Sequence, residues 1–152
     1  MRSGIIRFAT AACATLFLGL AVAQANEVIE EIPFDGDTII VTDTGNGEQI
    51  ISINDEEIAK NYYASFDRVT KVEDAPVAIF YMSDGGNSCG PTTLLIWRDI
   101  DDGKIKKFDH DEDCQTPAPS ISDDAIFFIP YLNPGESRLL NAWSPSSGIS
   151  SK

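Results

Sequence analysis

The sequence predicts an all-β protein, a small antiparallel β-sandwich or barrel of about seven to nine short strands. Short runs rich in β-branched and aromatic residues recur along the chain, and Gly, Asn, Asp and Pro separate them. Helical periodicity can be traced in one short segment only. These observations predict a single β-rich domain at residues 26–144, followed by a small, polar and flexible tail at residues 145–152.

The first predicted elements are an outer strand and a hairpin. EVIEEIPF at residues 27–34 contains Pro33, which suits a strand at the edge of a sheet. DTIIVTD at 37–43 and EQIISI at 48–53 flank the turn sequence TGNG. Two strand-like runs around such a turn are a strong hairpin signal.

Residues 54–68 leave two alternatives open. Asn54 and Asp55 could cap one short helix, with acidic residues in its first turn. Its apolar side chains would then share one face: Ile58, Tyr62 and Phe66. Alternatively, Asn54-Asp55 is a tight turn and the following YYASFDRV is a strand, which the neighbouring hairpins favour.

The second half of the chain contains a central strand and two further hairpins. VAIFYM at 77–82 is long enough for a strand and short for a helix, so we expect a buried central strand. TTLLIWR at 92–98 and KIKKFD at 104–109 flank the turn DIDDG. AIFFIPYL at 125–132 and SRLLNAW at 137–143 flank the turn NPGE.

The N-terminus has the features of a secretory signal peptide. Arg2 and Arg7 form a basic region, the apolar stretch FATAACATLFLGLAVA follows, and residues 23–25 supply an A-x-A cleavage pattern. The apolar stretch is shorter than the roughly 20 residues that a spanning helix needs. We therefore expect cleavage of residues 1–25, export to a bacterial periplasm, and no membrane insertion of the mature chain.

The charge is strongly acidic and limits the classes of partner. The chain has 24 acidic and 11 basic residues, a formal net charge of −13, and signal cleavage removes two of the basic residues. Such a chain repels nucleic acid and anionic lipid, whereas its field attracts cations or a basic protein. We expect no nucleic-acid partner, and a basic protein is the partner that the charge favours.

Two cysteines predict a disulfide. Cys13 leaves with the signal peptide, so Cys89 and Cys114 form an even pair in an exported chain. An oxidising compartment makes a bridge between them the default. The C-x-x-C spacing of redox enzymes is absent, so we expect the bridge to be structural.

The segment GNSCG at residues 86–90 matches G-x-S-x-G, the nucleophile elbow of serine hydrolases. That elbow requires a strand, a sharp turn and then a helix, but a strand is predicted after GNSCG. His110 is the chain's single histidine, and we expect it to be an exposed, titrating side chain. We therefore nominate no catalytic residue, and a small hydrolase using Ser88 is kept as a second alternative to a binding protein.

An acidic run forms a weak candidate metal site. Asp109, Asp111 and Asp113 have the spacing of the first three ligands of a calcium loop. The sixth position is Cys114 instead of Gly, and the twelfth is Ser120 instead of Glu, so the run is no EF-hand. A calcium- or metal-binding β-module is the first alternative function, and no cofactor is predicted.

The expected function is that of an exported, non-enzymatic binding protein that inhibits or neutralises a basic partner such as a cell-wall hydrolase. The loops joined by the expected bridge are the predicted partner-binding surface: Ser83, Asp84, Asn87, Ser88, Asp109, His110 and Asp111. Aromatic side chains are candidates for a binding face, although we expect each of them in the core: Tyr62, Tyr63, Tyr81, Trp97 and Trp143.

Overall fold

The computed structural model describes residues 26–86, 90–110, 118–129 and 141–151. All of its regular elements are strands, which confirms the predicted all-β class. None of the described segments forms a helix that could cross a membrane. The strands are β1 Glu27–Phe34, β2 Asp37–Asp43, β3 Gln49–Ile53, β4 Glu56–Asn61, β5 Tyr63–Val72, β6 Ala75–Ser83, β7 Thr92–Arg98, β8 Ile105–His110, β9 Ala118–Ile121, β10 Ile126–Ile129, β11 Asn141–Ser144 and β12 Gly148–Ser151.

The strands form three four-stranded antiparallel sheets, each built from strands consecutive in the sequence. We call them the first sheet (β1 to β4), the central sheet (β5 to β8) and the third sheet (β9 to β12). Within each sheet every strand pairs with its neighbour in the chain. The architecture is therefore built from local hairpins. Because each hairpin is specified by a short stretch of sequence, many of its turns can be predicted from the sequence.

The central sheet is buried on both of its faces. One face packs against the first sheet and forms the first core, whose fully or nearly fully buried members include Ile39, Val41, Ile51, Ile53, Ala78, Phe80, Leu94 and Ile96. The other face packs against the third sheet and forms the second core, which includes Val77, Ile79, Leu95, Trp97, Ile126, Phe128 and Trp143. Because both alternating sets of side chains are buried, VAIFYM is confirmed as a central strand.

Two-residue turns connect several of the strands. Asn54 and Asp55 join β3 to β4, with φ angles of 51° and 64°. Consecutive positive φ angles are those of a type I′ hairpin turn, whose twist matches that of the strands. The strand alternative for residues 54–68 is thus confirmed, and the possible short helix is not formed. β4 belongs to a hairpin with β3 instead.

The C-terminal segment differs from the predicted flexible tail. Residues Gly148–Ser151 form β12, which pairs with β11 through Trp143↔Ile149. The Ser144 hydroxyl accepts a hydrogen bond from the Ser147 backbone N–H at 3.3 Å, and this bond supports the turn. Small polar residues suggested a loose end, but backbone pairing makes them a strand. β4, β9 and β12 are the strands beyond the nine runs that the sequence indicated.

Glu73 connects the central sheet to the third sheet. Its backbone N–H donates to the carbonyl of Asp123 at 2.7 Å. Its carboxylate accepts hydrogen bonds from the Ser146 hydroxyl at 2.8 Å and from the Ser146 backbone N–H at 2.9 Å. These bonds, the hydroxyl first, lower the pKa of Glu73. The β5–β6 turn is therefore held to both neighbouring turns of the third sheet.

Arg98 makes the corresponding link between the central and first sheets. Its guanidinium donates to the Asp35 carboxylate at 2.8 Å and also to the Asp37 carboxylate. A further bond reaches the Gly103 carbonyl at 2.8 Å. Asp35 lies in the β1–β2 turn, so one forked side chain joins two sheets at this end of the molecule.

We predict that Asp55→Gly stabilises the fold. A left-handed backbone costs a residue with a Cβ about 1 kcal/mol, and glycine at this turn position removes the cost. After the greater freedom of glycine in the unfolded chain is included, the free energy of unfolding should rise by about 0.5 kcal/mol. Urea denaturation measures it. Asp55→Ala is the control and should not stabilise, and a Gly variant less stable than the parent contradicts the prediction.

We predict that the stabilisation by Glu73 depends on pH. Because its pKa is lowered in the folded state, its contribution is complete above the unfolded value of about 4.3 and is lost as the pH falls through the folded value. Glu73→Gln should cost about 1 kcal/mol at neutral pH and progressively less in acid. Thermal melting across pH measures this. A double-mutant cycle with Ser146→Ala should be non-additive, and additivity would contradict the contact.

Candidate functional site

One end of the first and central sheets brings together three segments. β4 ends at Asn61 and β5 begins at Tyr63, so Tyr62 makes the corner between two sheets. Tyr63 is the register partner of Ser83, which places the end of β6 beside that corner. The β2–β3 turn lies against Tyr62. We call this surface the tyrosine end and define it as residues 43–48, 61–63 and 83–86.

The two tyrosines of this end are exposed, by 59% for Tyr62 and 50% for Tyr63. The Tyr62 ring rests on two glycines. A Cβ at Gly85 would lie 2.5 Å from Cδ1 of the ring, and one at Gly47 would lie 3.2 Å from Cε2. Gly85 also has a φ of 76°, which disfavours a side chain independently. Glycine at both positions therefore leaves room for the Tyr62 ring, most strictly at Gly85.

Side chains of the tyrosine end hold its own turns in shape. The Asp43 carboxylate accepts a hydrogen bond from the Gly45 N–H at 2.6 Å, and the Thr44 hydroxyl donates to the Glu48 carbonyl at 3.0 Å. On the other side, the Ser83 hydroxyl accepts from Gly85 N–H at 3.2 Å. These short-range bonds are typical of Asx and hydroxyl turns. They leave the surface ordered before any partner arrives.

The tyrosine end is acidic. Asp43, Glu48 and Asp84 belong to it, and Glu27 on β1 is the register partner of Asp43. Lys60 is ion-paired with Glu48 at 2.8 Å, and the hydrogen bond between them is the main cause of the raised pKa of Lys60. The positive charge of Lys60, two residues before Tyr62 in the chain, is thus paired within the protein.

The same pairing recurs across the described residues. Basic side chains lie within ion-pair distance of carboxylates at Arg68–Asp67, Arg98–Asp35, Lys104–Asp102, Lys106–Asp99 and Lys107–Asp109. The excess of acidic residues remains after this local compensation. The outward field of the domain is therefore negative.

A groove of about 300 Å³ lies next to the tyrosine end. It opens between β4 and the last strands of the central sheet. Its lining mixes apolar and charged groups: Ala59, Lys60, Asn61, Met82, Thr92, Lys107 and Asp109. Both lysines of the lining are within ion-pair distance of a carboxylate, Lys107 of Asp109 at 3.9 Å and Lys60 of Glu48 at 2.8 Å.

The structure brings together some of the residues predicted to bind a partner and separates others. Ser83 and Asp84 lie in the tyrosine end, and Asp109 lines the adjacent groove. His110 faces away from them, because successive residues of β8 point to opposite faces. It is only 5% exposed and stacks on Phe128 with ring centroids 3.9 Å apart. The expectation of an exposed histidine is wrong, since the third sheet covers it.

Several predicted residues lie outside the described residues. These are the signal peptide and Asn87, Ser88, Cys89, Asp111, Asp113 and Cys114. The disulfide, the Ser88 nucleophile and the acidic loop therefore stay predictions. The pair Thr93↔His110 does place the start of β7 and the end of β8 at the same end of the central sheet. In the described part of the chain, no group of three or more His, Cys, Asp or Glu side chains could hold a metal ion.

The exposed tyrosines are the residues that the sequence argument misplaced. Trp97 and Trp143 are buried as expected, edge to face with ring centroids 4.7 Å apart. Tyr62 and Tyr63 are not in the core. One signal was available, because adjacent residues of a strand point to opposite faces and cannot both enter one core. Tyr62 is additionally exposed because it occupies the corner between two sheets.

The fold defines an all-β protein in which a central sheet packs between two others. Within that class, the chain belongs to the Y4bG N-terminal domain family, whose model it matches over residues 35–152. A relative described as uncharacterized protein y4bG, from Sinorhizobium fredii (strain NBRC 101917 / NGR234), is 30% identical over 103 residues. The match covers 67% of this chain and 37% of that relative, so the chain spans little more than a third of its length. No solved structure matches the chain.

We predict that Gly85→Ala displaces the Tyr62 ring. The new methyl group would overlap the ring and would also require an unfavourable backbone conformation. The free energy of unfolding should fall by about 1 kcal/mol or more, and the NMR signals of the Tyr62 ring should shift. Gly86→Ala is the matched control, since its Cβ would meet only the Asp84 side chain at 3.1 Å. Equal effects of the two substitutions would contradict the packing described here.

Proposed function

We propose that this protein is an exported, non-enzymatic binding domain whose tyrosine end binds a basic protein. The observation that carries the proposal is the pair of exposed tyrosines beside carboxylates, with the Tyr62 ring packed against Gly47 and Gly85. Tyrosine is enriched in protein interfaces because it buries a large rigid ring at low entropic cost. Its ring face also attracts lysine and arginine side chains.

The order of this surface supports the proposal. The turns on either side of Tyr62 are closed by their own hydrogen bonds, and the glycine contacts fix the ring. A partner would therefore not have to pay for ordering these loops. Affinity for a given contact area is higher when the surface is ordered before binding.

The charge of the domain supports a basic partner in particular. The net charge is −13, and basic side chains of the described residues are largely paired with neighbouring carboxylates. A negative field accelerates encounter with a positive surface and repels acidic proteins. A basic cell-wall hydrolase is a partner of this chemistry, and binding across its positive surface would inhibit it.

The export of the chain rests on the sequence. The basic start, the apolar stretch and the A-x-A pattern at residues 23–25 support a cleaved signal peptide. In the periplasm, a bridge between Cys89 and Cys114 would tie the loop after β6 to the loop after β8. That bridge would restrict the conformations of the chain segment that follows residue 86, the last residue of the tyrosine end.

The described residues lend no comparable support to the two alternatives. His110, the only histidine, is buried against Phe128, so the hydrolase alternative gains nothing from it. Asp109, one of the three candidate calcium ligands, already lies 3.9 Å from Lys107. Binding through the tyrosine end is therefore the function that we put forward.

We predict that Tyr63→Ala weakens binding to a basic cell-wall hydrolase by about tenfold, because an interface tyrosine contributes more than 1 kcal/mol when it lies near the centre of the contact. Calorimetric titration of a panel of basic and acidic hydrolases, at low and high salt, measures this. Ile100→Ala is the matched control, since Ile100 is exposed in the turn after β7.

The proposal fails if no basic protein binds the mature chain in a salt-sensitive way. The assignment of the site fails if Tyr63→Ala and Ile100→Ala bind equally well. Affinity capture from periplasmic extract, followed by the same two variants, extends the test to partners outside the panel.

A further inference from the structure

We propose that the outer edge of β1 accepts an extended basic segment of the partner as an additional antiparallel strand. The inference rests on the proposed function, because it assumes that the partner is basic. It adds a second contact, made through main-chain hydrogen bonds along β1. Addition of a strand to a sheet edge is a general mode of peptide recognition, in which main-chain hydrogen bonds supply affinity and side chains supply specificity.

β1 has the position that strand addition requires. It is the outermost strand of the first sheet, and among the described strands only β2 pairs with it. All five residues of Glu27–Glu31 are exposed, and Val28 and Ile29 are each 51% exposed. The N–H and C=O groups on the outer side of such a strand can pair with another chain. At about 3.3 Å per residue, these five positions offer an edge roughly 16 Å long.

The side chains of this edge disfavour a second copy of the same chain as the added strand. In an antiparallel self-pairing centred on Ile29, Glu27 of each copy would face Glu31 of the other, and such like-charge pairs are unfavourable. A register shift between Val28 and Glu30 and the proline at position 33 interrupt pairing with any strand, so they shorten the part of the edge that can pair. These are the devices by which natural edge strands avoid self-association.

The same carboxylates favour a strand that carries lysine or arginine. Opposite charges directly across a strand pair stabilise it, whereas the apolar Val28 and Ile29 provide contact for small aliphatic residues. Exclusion of acidic strands together with attraction of basic strands is a difference in affinity, which is what specificity requires. The occupant is therefore an extended segment with basic residues across from the three glutamates and aliphatic residues across from Val28 and Ile29.

β1 also continues the tyrosine end. Glu27 is the register partner of Asp43, the first residue of that surface. A partner docked on Tyr62 and Tyr63 could thus place a flexible segment along β1 without leaving the acidic surface. The family match begins at residue 35, after β1, so this contact belongs to a part of the chain that the family model does not cover.

The test uses the mature chain and a synthetic peptide that contains the order Lys-Lys-Val-Val-Lys, which places lysine across from Glu31, Glu30 and Glu27 in an antiparallel pairing. A second peptide has the same sequence with alternate backbone nitrogens methylated, which keeps its charge and removes the hydrogen-bond donors of one edge. Calorimetry measures affinity, and hydrogen exchange measures protection of the β1 amides. We expect the first peptide to bind and to protect β1, and the methylated peptide to bind at least about tenfold more weakly.

Charge variants locate the contact. Replacing Glu27, Glu30 and Glu31 together by glutamine should weaken peptide binding by about tenfold, because three cross-strand ion pairs are lost. Glu56→Gln with Glu57→Gln is the matched control, since both residues are exposed on β4, the other edge of the first sheet. Equal effects of the triple and control variants overturn the inference.

The failure of this inference is distinguishable from the failure of the proposed function. If both peptides bind equally, or the β1 amides gain no protection, strand addition is overturned. The proposed function then still stands if a basic hydrolase binds in a manner that depends on Tyr63. If the unmethylated peptide alone protects β1, strand addition is supported whichever hydrolase proves to be the partner.

Discussion

Burial of the central sheet on both faces is the constraint on which the rest of the molecule depends. Its apolar side chains fill two cores, so each flanking sheet needs only one apolar face to be held in place. If either flanking sheet were removed, one apolar face of the central sheet would be exposed to water at a large cost in free energy. The three sheets therefore fold as one unit, and the end of β6, the corner at Tyr62 and the edge strand β1 have fixed positions relative to one another because this core is shared.

The hairpins were predictable because their information is local. The strands at 37–43 and 92–98 have the predicted bounds, since turn residues stop the apolar pattern at both ends. β4 and β12 were missed because EEIAKN and GISS have little strand propensity and are paired through their backbones. Three-layer packing was also beyond local patterns. Continuous apolar runs in β6 and β7 indicated burial on both faces, but these runs do not indicate which sheet covers each face.

Those parts of the candidate site that are formed by turns were predictable from the sequence, and those parts that are formed by packing between sheets were not. Ser83 and Asp84 follow a strand and precede a glycine pair, so a loop at that point is a local inference. The contact between Tyr62 and Gly85 joins residues that only the sheet pairing brings together. His110 was predicted to be exposed and is buried, whereas Tyr62 was predicted to be buried and is exposed. The acidic residues beside His110 in the sequence suggested a solvent-exposed side chain, but Phe128 covers the imidazole ring. Whether such a residue is buried depends on the sheet that packs over it, which its sequence neighbours do not indicate.

Acidity serves two physical purposes in a protein of this architecture. Any stack of open sheets has exposed edges, and each edge can pair with another copy of the chain. Carboxylates on β1 oppose such pairing at little cost to the fold, because they are exposed and belong to neither core. Protection by one sign of charge is selective, since it opposes acidic strands and favours basic ones. Under the proposed strand addition, the carboxylates that disfavour pairing of β1 with itself are therefore the same groups that favour a basic strand.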